Sequence, residues 1–167
     1  MITGRVWKYG DNVNTDIIFP GRYTYIMMDE AEMGTHALED LDETFSANAR
    51  KGDIIVAGRN WGCGSAREQA VKALCDRGIA ALVAKSVSRI YFRNCLNEGL
   101  PVIICPPAVE AVESGDTLMI DMVNHQVLTE DAAFPFAPYD PYIQKMVSCG
   151  GLIPYTTQML REAGKID

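Results

Sequence analysis

The stretch DIIVAGRNWGCGSAREQAVKALCDRGIAALVAKSVSRIYFRNCLNEGLPVIIC, residues 53–105, decides the fold. Its first six residues, DIIVAG, are a short apolar run rich in β-branched side chains, the pattern of a buried strand. NWGCG is a Gly-rich turn. A helix is expected across residues 65–78, with Ala70, Val71 and Leu74 on one face and Gly78 as its stop. Residues 79–84 (IAALVA) read as a second buried strand. Ser86 or Ser88 starts another helix, which Gly99 ends, and residues 101–105 (PVIIC) are a third strand. Strand–helix–strand–helix–strand demands parallel pairing with right-handed crossovers.

Working outward, residues 3–8 (TGRVWK) suggest an edge strand. Residues 10–24 (GDNVNTDIIFPGRYT) are rich in Gly, Asn, Asp and Pro and read as a long ordered loop. Asp29 is placed to cap a helix through residue 41, weakened by Gly34. On the other side, residues 106–116 are a short helix and turn, and residues 117–130 a hairpin turning near Asn124 and His125. Two helices follow, over residues 141–151 and 153–164. The expected fold is α/β: one domain over residues 1–167, with a mixed, partly parallel sheet flanked by helices. Residues 150–167 form a C-terminal helix that packs on the domain or docks on a partner.

The 167 residues are 48% apolar and 22% charged, the balance of a folded globular chain. The net charge of −7 argues against nucleic acid as a main partner, since phosphate neutralisation needs clustered Lys and Arg. No apolar run approaches the ~20 residues that span a bilayer, and the N-terminal MITGRVWKYGD lacks the apolar core of a signal peptide. A cytoplasmic location without membrane or nucleic-acid partners is expected. Cys63, Cys75, Cys95, Cys105 and Cys149 are odd in number, widely spread and without a C-x-x-C pair, and only His36 and His125 add imidazoles. That is neither a disulfide framework, nor a zinc site, nor a self-sufficient iron–sulfur site.

The strongest local signal is GRNWGCGSAREQA, residues 58–70. Ser65 and Glu68 form S-x-x-E, a capping box, so one reading gives Ser65 no task beyond starting a helix. Against it, Gly62 and Gly64 leave bare backbone N–H groups at a helix start, an anion site. Arg67 stands in the first turn, where the dipole disfavours a cation. A guanidinium there suits a bidentate carboxylate, with a plain surface salt bridge as the alternative. A dinucleotide-binding G-x-G-x-x-G is broken by Arg67, and neither a Walker pattern nor G-x-S-x-G occurs.

These residues resemble the aconitase superfamily's swivelling domain. GRNWGCGSAREQA is similar to its G-x-N-F-G-x-G-S-S-R-E-[HQ]-A segment. DNVNTDIIFP is similar to D-x-V-[DN]-T-D-x-I-[IF]-P, and AKSVSRIYFRNCLNEGLPVI to A-x-S-[FV]-A-R-I-[FY]-x-R-N-x-x-N-x-G-L-P. Three motifs in one order cover most of residues 1–105. The whole chain resembles the small subunits of the isopropylmalate dehydratase family and its homoaconitase, dimethylmalate and methylcitrate relatives. The resemblance implies a β/β/α swivelling domain that binds no cofactor itself and closes over a [4Fe–4S] cluster on a large partner subunit. It implies a hydro-lyase that isomerises a hydroxy di-acid through an alkene, in leucine biosynthesis for the isopropylmalate branch. A non-enzymatic anion-binding module and an RNA-binding role are the other classes; the latter sits badly with the charge.

Carried over by residue, Ser65 matches the family's catalytic serine and Asp16 an active-site acid, with a loop Asx-turn as the alternative for Asp16. Arg67 matches the arginine that takes a substrate carboxylate, with Gly64 and Ala66 beside it; Ala66 departs from the family's second serine. The loop after NTD reads the substrate's variable group. Homoaconitase- and aconitase-like members carry an arginine there, whereas residues 23–28 have none. Tyr25, Ile26, Met27 and Met28 are apolar or amphipathic and favour an alkyl group over a charge, with Thr24, Tyr25 and Ile26 as the expected substrate contacts. Arg22 lies just before the loop, and core packing is the alternative for Ile26 and the methionines.

Overall fold

The computed structural model describes residues 1–166. Its centre is a seven-stranded sheet in the order β4-β3-β2-β1-β5-β6-β7. These strands are β1 (Ile2–Tyr9), β2 (Ile54–Ala57), β3 (Ala81–Ala84), β4 (Val102–Ile104), β5 (Thr117–Asp121), β6 (Gln126–Leu128) and β7 (Ala133–Pro135). β1 to β4 run parallel, and β5 to β7 add antiparallel strands on the other side of β1. The helices are α1 (Thr15–Ile18), α2 (Glu30–Thr35), α3 (Glu43–Asn48), α4 (Gln69–Asp76), α5 (Arg89–Asn97), α6 (Pro106–Ala111), α7 (Pro141–Ser148) and α8 (Leu152–Glu162).

Both faces of the parallel half are covered, which is why its strands are continuous apolar runs. On one face Trp7, Ile55, Leu82 and Val102 pack with Ala70, Val71 and Leu74 of α4 and Tyr91 and Cys95 of α5. On the other, Val6, Ile54, Val56, Val83 and Ile103 pack with Ala108 and Val109 of α6 and with Leu118, Ile120 and Val127. α8 packs on α7 and α5, with Tyr155 edge-on to Tyr142 at 5.3 Å. Ile153 and Met159 of α8 stay exposed.

Several expectations change. The first strand is central, not an edge. Its first half pairs antiparallel with β5 (Arg5↔Thr117) and its second half parallel with β2 (Val6↔Ile54), so both rims of its backbone are occupied. The expected loop over residues 10–24 contains α1, capped by the Asn14 side chain accepting from the Ile17 N–H, and a 3-10 turn at Gly21–Tyr23. The helix capped by Asp29 ends at Thr35 rather than running to residue 41, since Leu38 turns to φ +56°. β7 was not anticipated; its three residues are too few for an alternation signal.

The largest correction falls on α4, which begins at Gln69 and not at Ser65. Glu68 is its N-cap, without a side-chain capping bond, and the Glu68 carboxylate pairs with Lys72 at 2.6 Å. The Lys72 hydrogen bond holds that carboxyl below its ordinary range. There is thus no capping box: Glu68 is drawn to an i+4 cation, and the Ser65 hydroxyl is engaged elsewhere.

One buried polar contact ties β1 to β2. Asp53, 5% exposed, accepts from Trp7 Nε1 at 2.8 Å and from the Arg50 N–H at 2.9 Å. Asp53→Ala leaves both donors without a partner, and is expected to cost about 2–3 kcal/mol in denaturant unfolding.

Candidate active site

Parallel pairing of β1 and β2 does not stop at the strand ends. The chain segments that follow remain side by side. The Asn12 N–H donates to the Arg59 carbonyl, Gly62 N–H to Val13 (2.8 Å) and Thr15 N–H to Cys63 (2.9 Å). Asn12 and Asn60, both at positive φ, also join through their side-chain amides at 2.9 Å. This ladder lays the NTD segment of residues 14–16 against the turn of residues 62–65. Two glycines permit it. At Gly62, φ +68°, a Cβ would lie 2.1 Å from the Tyr91 ring; at Gly64, φ +100°, it would lie 3.3 Å from Thr15 Oγ1.

The structure brings Asp16, Thr24, Ser65 and Arg67 together. Ser65 is exposed, and its Oγ lies 3.1 Å from Thr15 Oγ1. Arg67 is the hub. Its Nε donates to Ser65 Oγ at 3.1 Å and its Nη1 to Thr24 Oγ1 at 2.5 Å. Its Nη2 is paired with the Asp16 carboxylate and also reaches the Phe19 carbonyl at 3.4 Å. The Arg67 side chain is 16% exposed and that of Asp16 is 64% exposed. The guanidinium is fixed; the carboxylate paired with it is not enclosed.

Arg67 lies before the N-cap of α4 and not in its first turn, and Ser65 is not at a helix start, so the expected anion site at a helix start on Ser65 is not formed. Asp16 makes an ion pair rather than an Asx-turn; that turn chemistry belongs to Asn14. Gly64 and Ala66 flank Ser65 and are exposed.

Thr24 anchors the start of the following loop to Arg67. Beyond it, Tyr25 and Met27 are 97% and 99% exposed and Ile26 is half exposed. Core packing is thus excluded for those three, while Met28 packs against the core. Arg22 turns to an ion pair with Glu39 and to Asp40 at 2.9 Å.

On the other side of Ser65 lies an open cleft of about 420 Å³ lined by Gly62, Gly64, Ser65, Ser88, Arg89, Ile90 and Arg93. Arg89 and Arg93 were not singled out from the sequence. Their i,i+4 spacing puts both on one face of α5, but only the tertiary fold sets that face beside Ser65. Tyr91, fully buried, supports the turn from below, its hydroxyl donating to the Ala70 carbonyl at 3.2 Å.

No group of three or more His, Cys, Asp or Glu among the described residues could hold a metal ion. The cysteines do not fit an iron–sulfur cluster. Cys95 and Cys105 are buried, and burial pushes the Cys75 thiol up to about 12, away from the thiolate that iron needs. No helix of the described residues is long and apolar enough to cross a membrane.

Residues 13–106 match the aconitase C-terminal domain. The 3-isopropylmalate dehydratase small subunit of Thermodesulfovibrio yellowstonii is 43% identical over 161 residues, 95% of each chain. The methanogen homoaconitase small subunit of Methanothermobacter thermautotrophicus is 44% identical, covering 92% of this chain and 89% of its own length. The crystal structure of 3-isopropylmalate dehydratase from Methanocaldococcus jannaschii superposes with a TM-score of 0.90 at 36% identity, over 99% of both chains. The site just described lies within the matched domain, and the likeness runs nearly end to end: this protein is a member of the aconitase family, in the group of the dehydratase small subunits.

Proposed function

We propose that this chain is the small subunit of a 3-isopropylmalate dehydratase, a hydro-lyase that isomerises 2- to 3-isopropylmalate by dehydration and rehydration in leucine biosynthesis. The observation that supports it most is the Ser65 hydroxyl, exposed in a cleft and held by a fixed guanidinium, with an arginine-free loop starting at the same guanidinium.

In this reading Ser65 Oγ removes the proton from the carbon next to a carboxylate, and returns it during rehydration. A serine is a poor base unless its anionic form is stabilised. Arg67 Nε, aimed at Oγ, supplies a positive charge there. Arg67 also takes the substrate carboxylate. Asp16 occupies that position in the free chain and keeps the fork aligned; its exposure lets an incoming carboxylate of like charge and shape replace it. Gly64 and Ala66 leave room above Ser65 for the reacting carbon.

The large partner subunit carries the [4Fe–4S] cluster, whose chemistry is Lewis-acid binding of the departing hydroxyl. The chain works in the cytoplasm, without nucleic-acid or membrane partners.

The two dehydratase-type relatives are equally similar in overall sequence, so identity does not choose the substrate. The loop does. Thr24 is taken by Arg67, and Tyr25 and Ile26 offer apolar surface. Arg22 is committed to Glu39 and Asp40. A distal carboxylate seated on this loop would be desolvated with no loop cation to pair with, while isopropyl methyls gain from burial.

Three outcomes are expected after anaerobic reconstitution with the large subunit. Ser65→Ala lowers turnover by on the order of 10²–10⁴-fold. Because Ser65 caps no helix, the stability cost is limited to the lost partner of the buried Thr15 hydroxyl, about 1–2 kcal/mol in thermal unfolding; near-wild-type turnover would remove Ser65 from the chemistry. The complex uses 3-isopropylmalate at least about tenfold better than homocitrate, and Tyr25→Arg or Ile26→Arg narrows that ratio. Equal use of both substrates by the wild type would hand recognition to another residue. On separating the subunits, iron–sulfur absorbance stays with the large one.

A further inference from the structure

Resting on the proposed function, we infer that Thr15 is a positioning residue for Ser65: its buried hydroxyl donates to Ser65 Oγ, so that with Arg67 Nε the oxygen has the two donors an alkoxide requires.

Thr15 is 1% exposed although polar. It is held on both sides by backbone bonds, its N–H to the Cys63 carbonyl at 2.9 Å and its carbonyl accepting from Phe19 N–H at 3.0 Å. Its side chain is β-branched and stiff at χ1. The hydroxyl therefore has a fixed position, 3.1 Å from Ser65 Oγ. The direction of that bond follows from charge. A guanidinium has no acceptor, so Arg67 Nε must donate to Oγ. Once Ser65 has lost its proton it only accepts, and Thr15 must then be the donor. Gly64 keeps the approach open, its missing Cβ lying 3.3 Å from Thr15 Oγ1.

A fixed donor aimed at developing negative charge acts on the chemical step and not on binding. Thr15→Val keeps the shape and removes the donor. In the reconstituted full-length complex it is expected to lower kcat by about 10²–10³-fold with KM within about threefold of wild type. For dehydration, the acidic limb of the pH–rate profile moves to higher pH, because the serine anion that acts as base loses a stabilising bond. Thr15→Ser, which restores the hydroxyl, recovers kcat to within about tenfold.

Thr15→Val turning over within about threefold of wild type overturns the inference. So does an equal kcat loss in Thr15→Val and Thr15→Ser accompanied by lower melting temperatures, which marks a packing role. If the wild type is active and Ser65→Ala inactive while Thr15→Val is normal, this inference alone fails. If the wild-type complex turns over no hydroxy di-acid, the proposed function fails and carries this inference with it.

Discussion

The parallel pairing of β1 with β2, carried past the strand ends into the two loops, is the constraint on which the site depends. From Val6↔Ile54 to Tyr9↔Ala57 the register is set by burial on both faces, with Val6 facing one core and Trp7 the other. A slip of one residue would exchange those faces. The register then continues through Gly62 to Val13 and Thr15 to Cys63. The site falls beyond the carboxyl ends of parallel strands, where α/β sheets commonly hold ligands, because there the chain leaves the sheet with loops free to converge.

Arg67 illustrates how orientation and not raw stability is what the polar network supplies. An ion pair with an exposed carboxylate contributes little to folding. Four acceptors from three parts of the chain nevertheless fix the guanidinium: Ser65 beside it, Asp16 and the Phe19 carbonyl from α1 and its end, and Thr24 from the next loop. One side chain thereby couples Ser65, Asp16 and the start of the loop at Thr24. A lysine, with one point charge, has no geometry to hold all of these.

The apolar side chains of Tyr25, Ile26 and Met27 stand in solvent, and Arg89 and Arg93 line an open cleft at Ser65. Large apolar groups so exposed, beside an otherwise acidic chain's exposed arginines, are what a surface completed by a second body looks like. The small-subunit names of the relatives imply such a second body, a large subunit.

Residue pattern alone was enough for much of the architecture. The apolar runs at residues 53–58, 79–84 and 101–105 require burial on both faces, and the helical spans between them force parallel pairing. A cap at Ser86 or Ser88, which the structure places at Ser88, and Gly99 as a stop were legible because their effects act over four residues or fewer. The motifs carried Ser65, Arg67 and Asp16 as a set. Other features depended on contacts between distant segments. β1 became central because β5, more than a hundred residues later, pairs with its first half. The S-x-x-E pattern at Ser65 is locally a sound cap, yet Thr15 and Arg67 compete for the hydroxyl and Lys72 for Glu68, so the helix starts four residues later. A serine's local bond to its own backbone and its bond to a side chain fifty residues away are of similar strength. Sequence determined that Ser65 would be polar, accessible and preceded by a glycine-rich turn; only the folded chain, by delivering Thr15 and Arg67 to within 3.1 Å, decided which bonds its oxygen makes.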